Sequence, residues 1–265
     1  MNNMSFAGFS YTYNRDDVAT SKLNISHCHD SYEILYVVSG KGRYLIEGAE
    51  FALRPRTLVF IRPYQYHCVE LESDTPYERY VINFTSAAAY SDVSHIIEQL
   101  SDNTSNDSGN FYSTEALSSA VIGVFDRFSL ADMLDAGDRE IFAKTLLSEL
   151  LMMLSVSGNE KIQNNDIELG ARVIKFINDS PDKNISLDDL TKQFFVSKYY
   201  LCRSFKKHNG VSIHAYITMK RVMLAKQLIE AGETASGAAY KVGFGDYSAF
   251  YRAYVKVIGK PPTSK

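Results

Sequence analysis

The sequence predicts two domains: an antiparallel β-barrel followed by helices, and then an all-α domain. The first observation behind this prediction is a series of short β-rich runs between residues 27 and 84, separated by glycine and proline. The second is a helical pattern near the C-terminus that recurs at an offset of 49 residues, from Ser197 to Asp246. The third is charge: residues 1–165 hold 12 Lys and Arg against 22 Asp and Glu, whereas residues 166–265 hold 16 against 9. An acidic module therefore precedes a basic one.

The barrel is predicted from segments rich in aromatic and β-branched residues, without helical periodicity. We predict strands over Tyr32–Val38, Gly42–Ile46, Thr57–Ile61 and Tyr77–Phe84. Residues 1–26 are interpreted as an entry strand followed by a loop.

A candidate site lies in this barrel. The pattern His27-x-His29-x-x-x-Glu33, with Pro63-x-x-x-His67 further on, resembles the first cupin motif and part of the second. Residues two apart on a strand point to the same side, so His27 and His29 could bind one ligand together. Neutral imidazoles with a carboxylate could hold a first-row transition metal.

Two interpretations of this site stay open. Arg56 stands where the second cupin motif has glycine, which counts against a metal. We favour a pocket for a sugar or another small metabolite, and expect neither a metal nor another cofactor. Its predicted ligand-binding residues are His27, His29, Glu33, Tyr36 and His67. Tyrosines support this interpretation, because a Tyr ring stacks on an apolar face while its hydroxyl bonds a polar ligand. Cys28 and Cys68 are expected to face away from the histidines.

Two helices are predicted after the barrel, Thr114–Phe128 and Asp138–Val156. The apolar stripe of the second is wider than a surface helix needs. Either all of it packs on the barrel, or part of it packs against a second subunit. Ser157–Asp166 has the composition of a linker. The predicted domains are therefore 1–156 for sensing and dimerisation and 167–265 for the helical domain, with 157–166 between them.

Each C-terminal copy is predicted to be a short helix, a tight turn and a second helix. Ser186 with Asp189 forms a predicted capping box, and Ser197 and Asp246 are predicted to cap the second helices of the two copies. Glycine ends both of these helices. A helix of about 28 Å, Ile213–Ala231, joins the copies, and adjacent major-groove segments lie about 34 Å apart.

The second helix of each copy has a polar face opposite its apolar one. In the first copy this face carries Lys198, Tyr199, Cys202, Arg203 and Lys206, and in the second Tyr247, Ser248, Tyr251 and Arg252. A single polar helix face is more often only a solvated surface, but two such faces at a constant spacing favour DNA binding. Arginine can bind guanine with two hydrogen bonds, and lysine can neutralise phosphate.

Three segments, Ser197–Gly210, Tyr216–Ile229 and Val242–Arg252, closely resemble the AraC/XylS family of bacterial transcription regulators. The resemblance covers about the last hundred residues. It implies double-stranded DNA and a small-molecule effector as ligands, a homodimer, and RNA polymerase as a further candidate partner. The base-reading positions that it implies are Tyr199, Cys202, Arg203, Ser248, Ala249 and Arg252.

Composition narrows the remaining function classes. No apolar run approaches the ~18 residues of a membrane helix, and three cysteines without a CxxC pair predict no disulfide framework. We therefore predict a cytoplasmic transcription regulator, not an enzyme, whose barrel senses a small molecule and changes the presentation of the DNA-binding helices. The alternatives are a metal-dependent enzyme in the barrel, and an architectural DNA-binding dimer that senses nothing.

Overall fold

In the computed structural model the chain forms two compact units, residues 1–165 and 166–265. The residues described are 3–17, 27–47, 49–72, 76–101, 110–112, 119–156, 169–178 and 185–262. The predicted linker at residues 157–166 lies outside them, so the domain limits stay a prediction.

Nine strands in two antiparallel sheets make up the described β-structure of the first unit. They are β1 (Asn3–Phe6), β2 (Phe9–Asp16), β3 (Tyr32–Ser39), β4 (Gly42–Ile46), β5 (Ala49–Leu53), β6 (Leu58–Ile61), β7 (His67–Leu71), β8 (Tyr77–Phe84) and β9 (Asn110–Tyr112). The large sheet has the order β1-β2-β8-β3-β6-β9, and the small sheet the order β5-β4-β7. The four predicted strands are present, whereas the entry segment contains two strands instead of one, and β5, β7 and β9 were not predicted.

The large sheet is covered on both faces, which explains why β3 and β6 are almost continuously buried. Leu35 and Val37 of β3 pack towards the small sheet in one apolar core. Ile34 and Tyr36 of the same strand pack into a second core, together with helices. Alternation along β3 therefore separates two environments on its two faces.

Three helices supply the other side of that second core: α1 (Ser94–Ser101), α2 (Ser119–Arg127) and α3 (Ala136–Val156). The ring of Tyr36 stacks on Phe125 of α2, with ring centroids 4.8 Å apart. Six residues of α3 are buried, whereas Ile141, Met152 and Val156 are exposed. The sequence pattern did not predict the short helix α1, and residues 113–118 of the first predicted helix lie outside the described part.

The second unit is helical. Its helices are α4 (Leu169–Asn178), α5 (Leu187–Phe194), α6 (Lys198–Asn209), α7 (Ile213–Glu230), α8 (Ala235–Lys241) and α9 (Tyr247–Ile258). The capping box at Ser186 and the cap at Ser197 are confirmed, and Gly210 ends α6 in the left-handed region at φ 70°. Asp246 caps α9 by accepting a hydrogen bond from Ala249 N. The helix pairs α5–α6 and α8–α9 form the two predicted helix-turn-helix motifs.

The joining helix α7 contributes apolar residues and one tyrosine to the core of the second unit. Val222, Ala225 and Ile229 are buried. Ala215 is exposed, whereas Tyr216, Met219 and Met223 are also buried. Tyr216 donates a hydrogen bond to Asn178 Oδ1 at 3.0 Å, which shows why a polar residue belongs to this core.

Candidate ligand cavity and candidate nucleic-acid interface

Three histidines meet in the first unit because the chain before β3 pairs with β7. His27 and His67 exchange two backbone hydrogen bonds, 3.0 and 2.9 Å long, in an isolated antiparallel bridge. Their ring centroids are 4.4 Å apart, and that of His29 lies 5.1 Å from His67. The ligand nitrogens of all three lie within 4.8 Å of one another. His27 and His29 thus lie outside the strands, with His27 in one isolated bridge, but their side chains still converge on His67.

Glu33 joins this cluster from β3. Its Oε2 lies 3.1 Å from His29 Nε2 and 3.9 Å from His67 Nε2. On its other oxygen it accepts a hydrogen bond from the Tyr44 hydroxyl at 3.4 Å. The carboxylate therefore stands between two imidazoles and a phenol.

Backbone carbonyls orient two of the rings. Nδ1 of His67 lies 2.8 Å from Gln65 O, and Nδ1 of His29 lies 2.9 Å from Ser31 O. A carbonyl oxygen only accepts, so each Nδ1 carries a proton and each Nε2 points into the cluster. Among the described residues, the buried Nε2 of His67 has no hydrogen-bond partner.

Burial and the Glu33 charge set the protonation of the cluster. Burial lowers the pKa of His67 to about 4, although the charge of Glu33 opposes it. Burial also acts to lower the pKa of His29, but the hydrogen bond and charge of Glu33 outweigh it, and that pKa is raised. For Glu33, burial acts to raise the pKa, yet the hydrogen bond from His29 and the histidine charges bring it below its usual value. At neutral pH the cluster thus contains a carboxylate and a neutral His67.

Glu33 and His67 line a cavity of about 370 Å³, which is within the range of small-molecule sites. Polar and aromatic side chains contribute His27, Glu33, Tyr44, His67, Tyr77 and Arg79. Apolar side chains from three strands, Leu35, Val69 and Val81, complete the wall together with Cys68. The cavity therefore offers hydrogen-bonding groups beside an apolar surface.

The predicted site residues divide between two places. His27, Glu33 and His67 line the cavity, and His29 contacts Glu33 beside it. Tyr36 lies on the opposite face of β3, stacked on Phe125. Residues 33 and 36 are separated by an odd number of positions, so strand alternation already places them on opposite faces.

Other cavity residues are not among the predicted ligand-binding residues, or were expected elsewhere. Cys68, expected to face away, belongs to the cavity wall. Tyr44 of β4 and Tyr77 of β8 lie on strands that the sequence pattern predicts. They reach the cavity only because each strand pairs with one far away in the sequence, β4 with β7 and β8 with β3. Arg79 gave no motif signal; it forms an ion pair with Asp16 and lies over the Tyr77 ring, 4.5 Å from its centroid.

In the second unit, the predicted polar face of α6 is exposed. Leu201 and Phe205 are buried on the opposite side, while Lys198, Tyr199, Arg203 and Lys206 are exposed and Cys202 is half-buried. Arg203 Nη1 donates to the Tyr199 hydroxyl at 3.4 Å. Both side chains therefore extend along one accessible face.

Helix α9 repeats this arrangement. Phe250 and Tyr254 are buried in a core with α7 and α8. Tyr247, Ser248, Tyr251 and Arg252 are exposed, and Ala249 is half-buried. The rings of Tyr247 and Tyr251 lie one helical turn apart, with centroids 6.4 Å apart. Each motif thus presents aromatic and basic side chains on its second helix.

The length of α7 suits a protein that contacts DNA through both motifs. Its 18 residues make a rod of about 27 Å, and successive major-groove segments on one side of B-DNA lie about 34 Å apart. Arg221 of α7 donates to Gly243 O at 3.3 Å, in the turn before α9. This bond holds the turn of the second motif against α7.

No helix of the described part is long and apolar enough to span a membrane.

Comparison with known proteins agrees with both units. The model of the AraC-like ligand-binding domain matches residues 17–151, more than half of the chain, and that of a helix-turn-helix domain matches residues 190–264. The HTH-type transcriptional activator RhaS of Klebsiella pneumoniae (strain 342) is 25% identical over 232 residues, covering 84% of this chain and 81% of RhaS. The HTH-type transcriptional regulator YbfI of Bacillus subtilis (strain 168) is 37% identical over 76 residues, covering 29% of this chain and 28% of YbfI.

Among solved structures, ToxT from Vibrio cholerae O395 aligns over 97% of this chain and 96% of its own, with 15% identity and a TM-score of 0.38. A likeness of that size adds nothing to the family assignment. The assignment comes from the two matched domains, in the order in which the sequence places a sensor and a DNA-binding module. The chain belongs to the AraC family of DNA-binding transcription regulators, with a ligand-binding domain at its N-terminal end and two helix-turn-helix motifs at its C-terminal end.

Proposed function

We propose that the cavity of the first unit binds a small-molecule effector, with a sugar as the first candidate, and that the effector changes how the two helix-turn-helix motifs are presented to DNA. The observation that carries this proposal is the cavity itself, where charged and hydroxyl groups lie beside an apolar wall.

The lining suits a polyhydroxylated ligand. Glu33 accepts hydrogen bonds, the Tyr44 hydroxyl donates, and the Arg79 guanidinium offers several donors. Leu35, Val69 and Val81 offer apolar contact for the C–H face of a sugar ring. A site built to hydrogen-bond a substrate hydroxyl rejects analogues that lack it, so this lining supports selectivity among sugars.

The proposed DNA contacts are the exposed residues of α6 and α9. Arg203 and Arg252 are proposed to bind bases, with Tyr199, Cys202, Ser248 and Ala249 completing the reading faces. Lys198, Lys206 and Tyr247 are proposed to contact the backbone. The excess of positive charge in residues 166–265 attracts phosphate, whereas the acidic first unit does not.

We further propose that the regulator acts as a cytoplasmic homodimer, with RNA polymerase as a further partner. Ile141, Met152 and Val156 form an exposed apolar edge on α3, which supports a subunit contact. Effector binding would then shift a population between two arrangements of the DNA-binding units within the dimer, without changing the reading residues.

Thermal unfolding of the full-length protein with a panel of sugars and metabolites tests the effector site. A ligand at about a hundred times its dissociation constant should stabilise its domain by about 2.7 kcal/mol. Two buried tyrosines provide a matched pair: Tyr44→Phe removes a hydroxyl from the cavity, and Tyr36→Phe removes one from the opposite face of β3. We expect the effector-induced shift to shrink in Tyr44→Phe and to persist in Tyr36→Phe.

DNA binding tests the second half of the proposal. Affinity and preferred half-site spacing are measured with and without the stabilising compound. Equal values in both conditions would reject effector control and favour an architectural dimer. Chemical conversion of a bound compound would instead favour an enzyme in the barrel.

A further inference from the structure

We propose that His27, His29 and His67, together with Glu33, bind one divalent first-row transition metal ion inside this cavity. The inference rests on the proposed function, because it names a ligand for the same cavity. It goes beyond a pocket for an organic effector, since the ligand assigned is a metal ion.

The four side chains together form a set of donors for one metal ion. Three imidazole nitrogens lie within 4.8 Å of one another, and Glu33 Oε2 lies 3.1 and 3.9 Å from two of them. Metal–ligand bonds of about 2.0–2.1 Å in a tetrahedral site place donor atoms about 3.4 Å apart. The side chains therefore need only small rotations to surround one ion.

Backbone carbonyls fix the orientation of two of the histidine rings. The protons on Nδ1 of His29 and His67 face backbone carbonyls, so each Nε2 is the nitrogen turned towards the cluster. Metal-binding histidines are held in this way by a second hydrogen bond, which selects the tautomer and fixes the ring. The His67 ring is therefore prepared for a ligand at Nε2, whereas His29 must first release the proton that its Nε2 donates to Glu33.

One nitrogen of the cluster, Nε2 of His67, is buried without a partner among the described residues. The His67 side chain is 2% exposed, and its Nε2 has no hydrogen-bond partner among the described residues. A buried acceptor without a partner is costly, so its lone pair indicates a ligand that the protein atoms do not supply. A cation on this nitrogen satisfies the lone pair, and the Glu33 carboxylate neutralises part of its charge.

Access and ligand chemistry complete the argument. His27 is exposed, His29 half-buried and His67 buried, so the cluster extends from the surface to a buried nitrogen. Three imidazoles and one carboxylate suit zinc, nickel, cobalt or iron better than calcium or magnesium, which prefer oxygen ligands.

The test is a cobalt(II) titration of full-length protein that carries no polyhistidine tag and has been dialysed against a chelator. Visible absorption reports the coordination of cobalt, and equilibrium dialysis reports the number of ions per chain. We expect one ion per chain in the unmodified protein. His27→Gln and His67→Gln should each weaken binding by at least about 10–100-fold, the loss typical of residues that only support a metal ligand.

His95→Gln is the matched control, because His95 is exposed on α1 and remote in sequence from the cluster; this variant should bind like the unmodified protein. His27 is exposed, so His27→Gln should fold even if the buried substitution does not, and circular dichroism checks both variants. The proposal is overturned if the unmodified protein binds no stoichiometric cobalt, or if His27→Gln binds as tightly as His95→Gln.

The titration needs no DNA and no organic effector, so its outcome is independent of the proposed regulation. Effector-dependent DNA binding without a bound metal would leave the proposed function standing and reject the metal site. Stoichiometric metal binding together with DNA binding that does not depend on an effector would support the metal site and reject the proposed effector control.

Discussion

Replacing Arg203 or Arg252 with alanine tests whether the exposed faces of α6 and α9 read DNA bases. Both side chains are exposed, and the one hydrogen bond that Arg203 makes to a residue in the described part of the chain is a long one, to Tyr199 at 3.4 Å. Surface substitutions of this kind usually change the free energy of unfolding by no more than about 0.5 kcal/mol. A loss of affinity in either variant therefore reports a DNA contact, not an unfolded motif.

The expected magnitude follows from the geometry of arginine and guanine. A bidentate contact contributes about 1–3 kcal/mol of discrimination, which corresponds to about a 5- to 160-fold weaker dissociation constant at 1.36 kcal/mol per tenfold change. The loss should fall on the specific site and leave binding to unrelated duplexes almost unchanged. Each variant should also tolerate other bases at one position of the site.

Fluorescence anisotropy with the full-length protein measures the dissociation constant of each variant. Two duplexes are compared, one enriched from a random pool and one scrambled duplex of the same composition. Lys241→Ala is a suitable control, since Lys241 is an exposed cation of α8 that is ion-paired with Glu233. Equal losses on both duplexes, with a salt dependence lowered by about one ion, would assign the arginine to phosphate and refute base reading. No loss in either variant would refute the proposed orientation of both helices.

Three further predictions concern the second unit. Leu201→Ala removes a fully buried side chain from α6, so we expect a loss of about 2–5 kcal/mol in urea unfolding; a loss below 1 kcal/mol would contradict its place in the core. Phe195 is 93% exposed and has φ 54° in the turn before α6. Phe195→Gly should therefore relieve about 1–2 kcal/mol of left-handed backbone strain, partly offset by the larger conformational entropy that glycine loses on folding. A melting temperature below that of the unmodified protein would contradict this prediction. Alkylation of Cys202 should block DNA binding by bulk, whereas a Cys202→Ser variant treated in the same way should still bind; inhibition of both would place the sensitive thiol elsewhere.

The helical unit was largely predictable because its signals are local. A capping residue forms its hydrogen bond within three positions of itself, as Ser186 does with Asp189 and Ser197 with Tyr200. A glycine that ends a helix likewise acts through its own φ angle. The burial of Tyr216 on α7 has no such local signal, because this side chain donates a hydrogen bond to Asn178, 38 positions away.

The cavity was predictable only in part. The spacing of His27, His29 and Glu33 identified three members of the cluster, and His67 followed from a short motif. Tyr44, Tyr77 and Arg79 approach Glu33 because β3 pairs with β8 and the small sheet packs over the same face. Such pairings join residues far apart in the chain, and hydrophobic periodicity carries no information about which strands become neighbours.

The sequence by itself determined the order of the two modules, their opposite charges, the duplicated helix-turn-helix motif and the outward faces of its second helices. Composition, capping and helical period are enough for these, since each acts within a few residues. The tertiary structure alone decided that Tyr36 packs against α2 while Glu33 faces the cavity, and that His27 pairs with His67. Those outcomes depend on which face of the large sheet is covered by helices and which by the small sheet. Packing between segments that are distant in the sequence decides this.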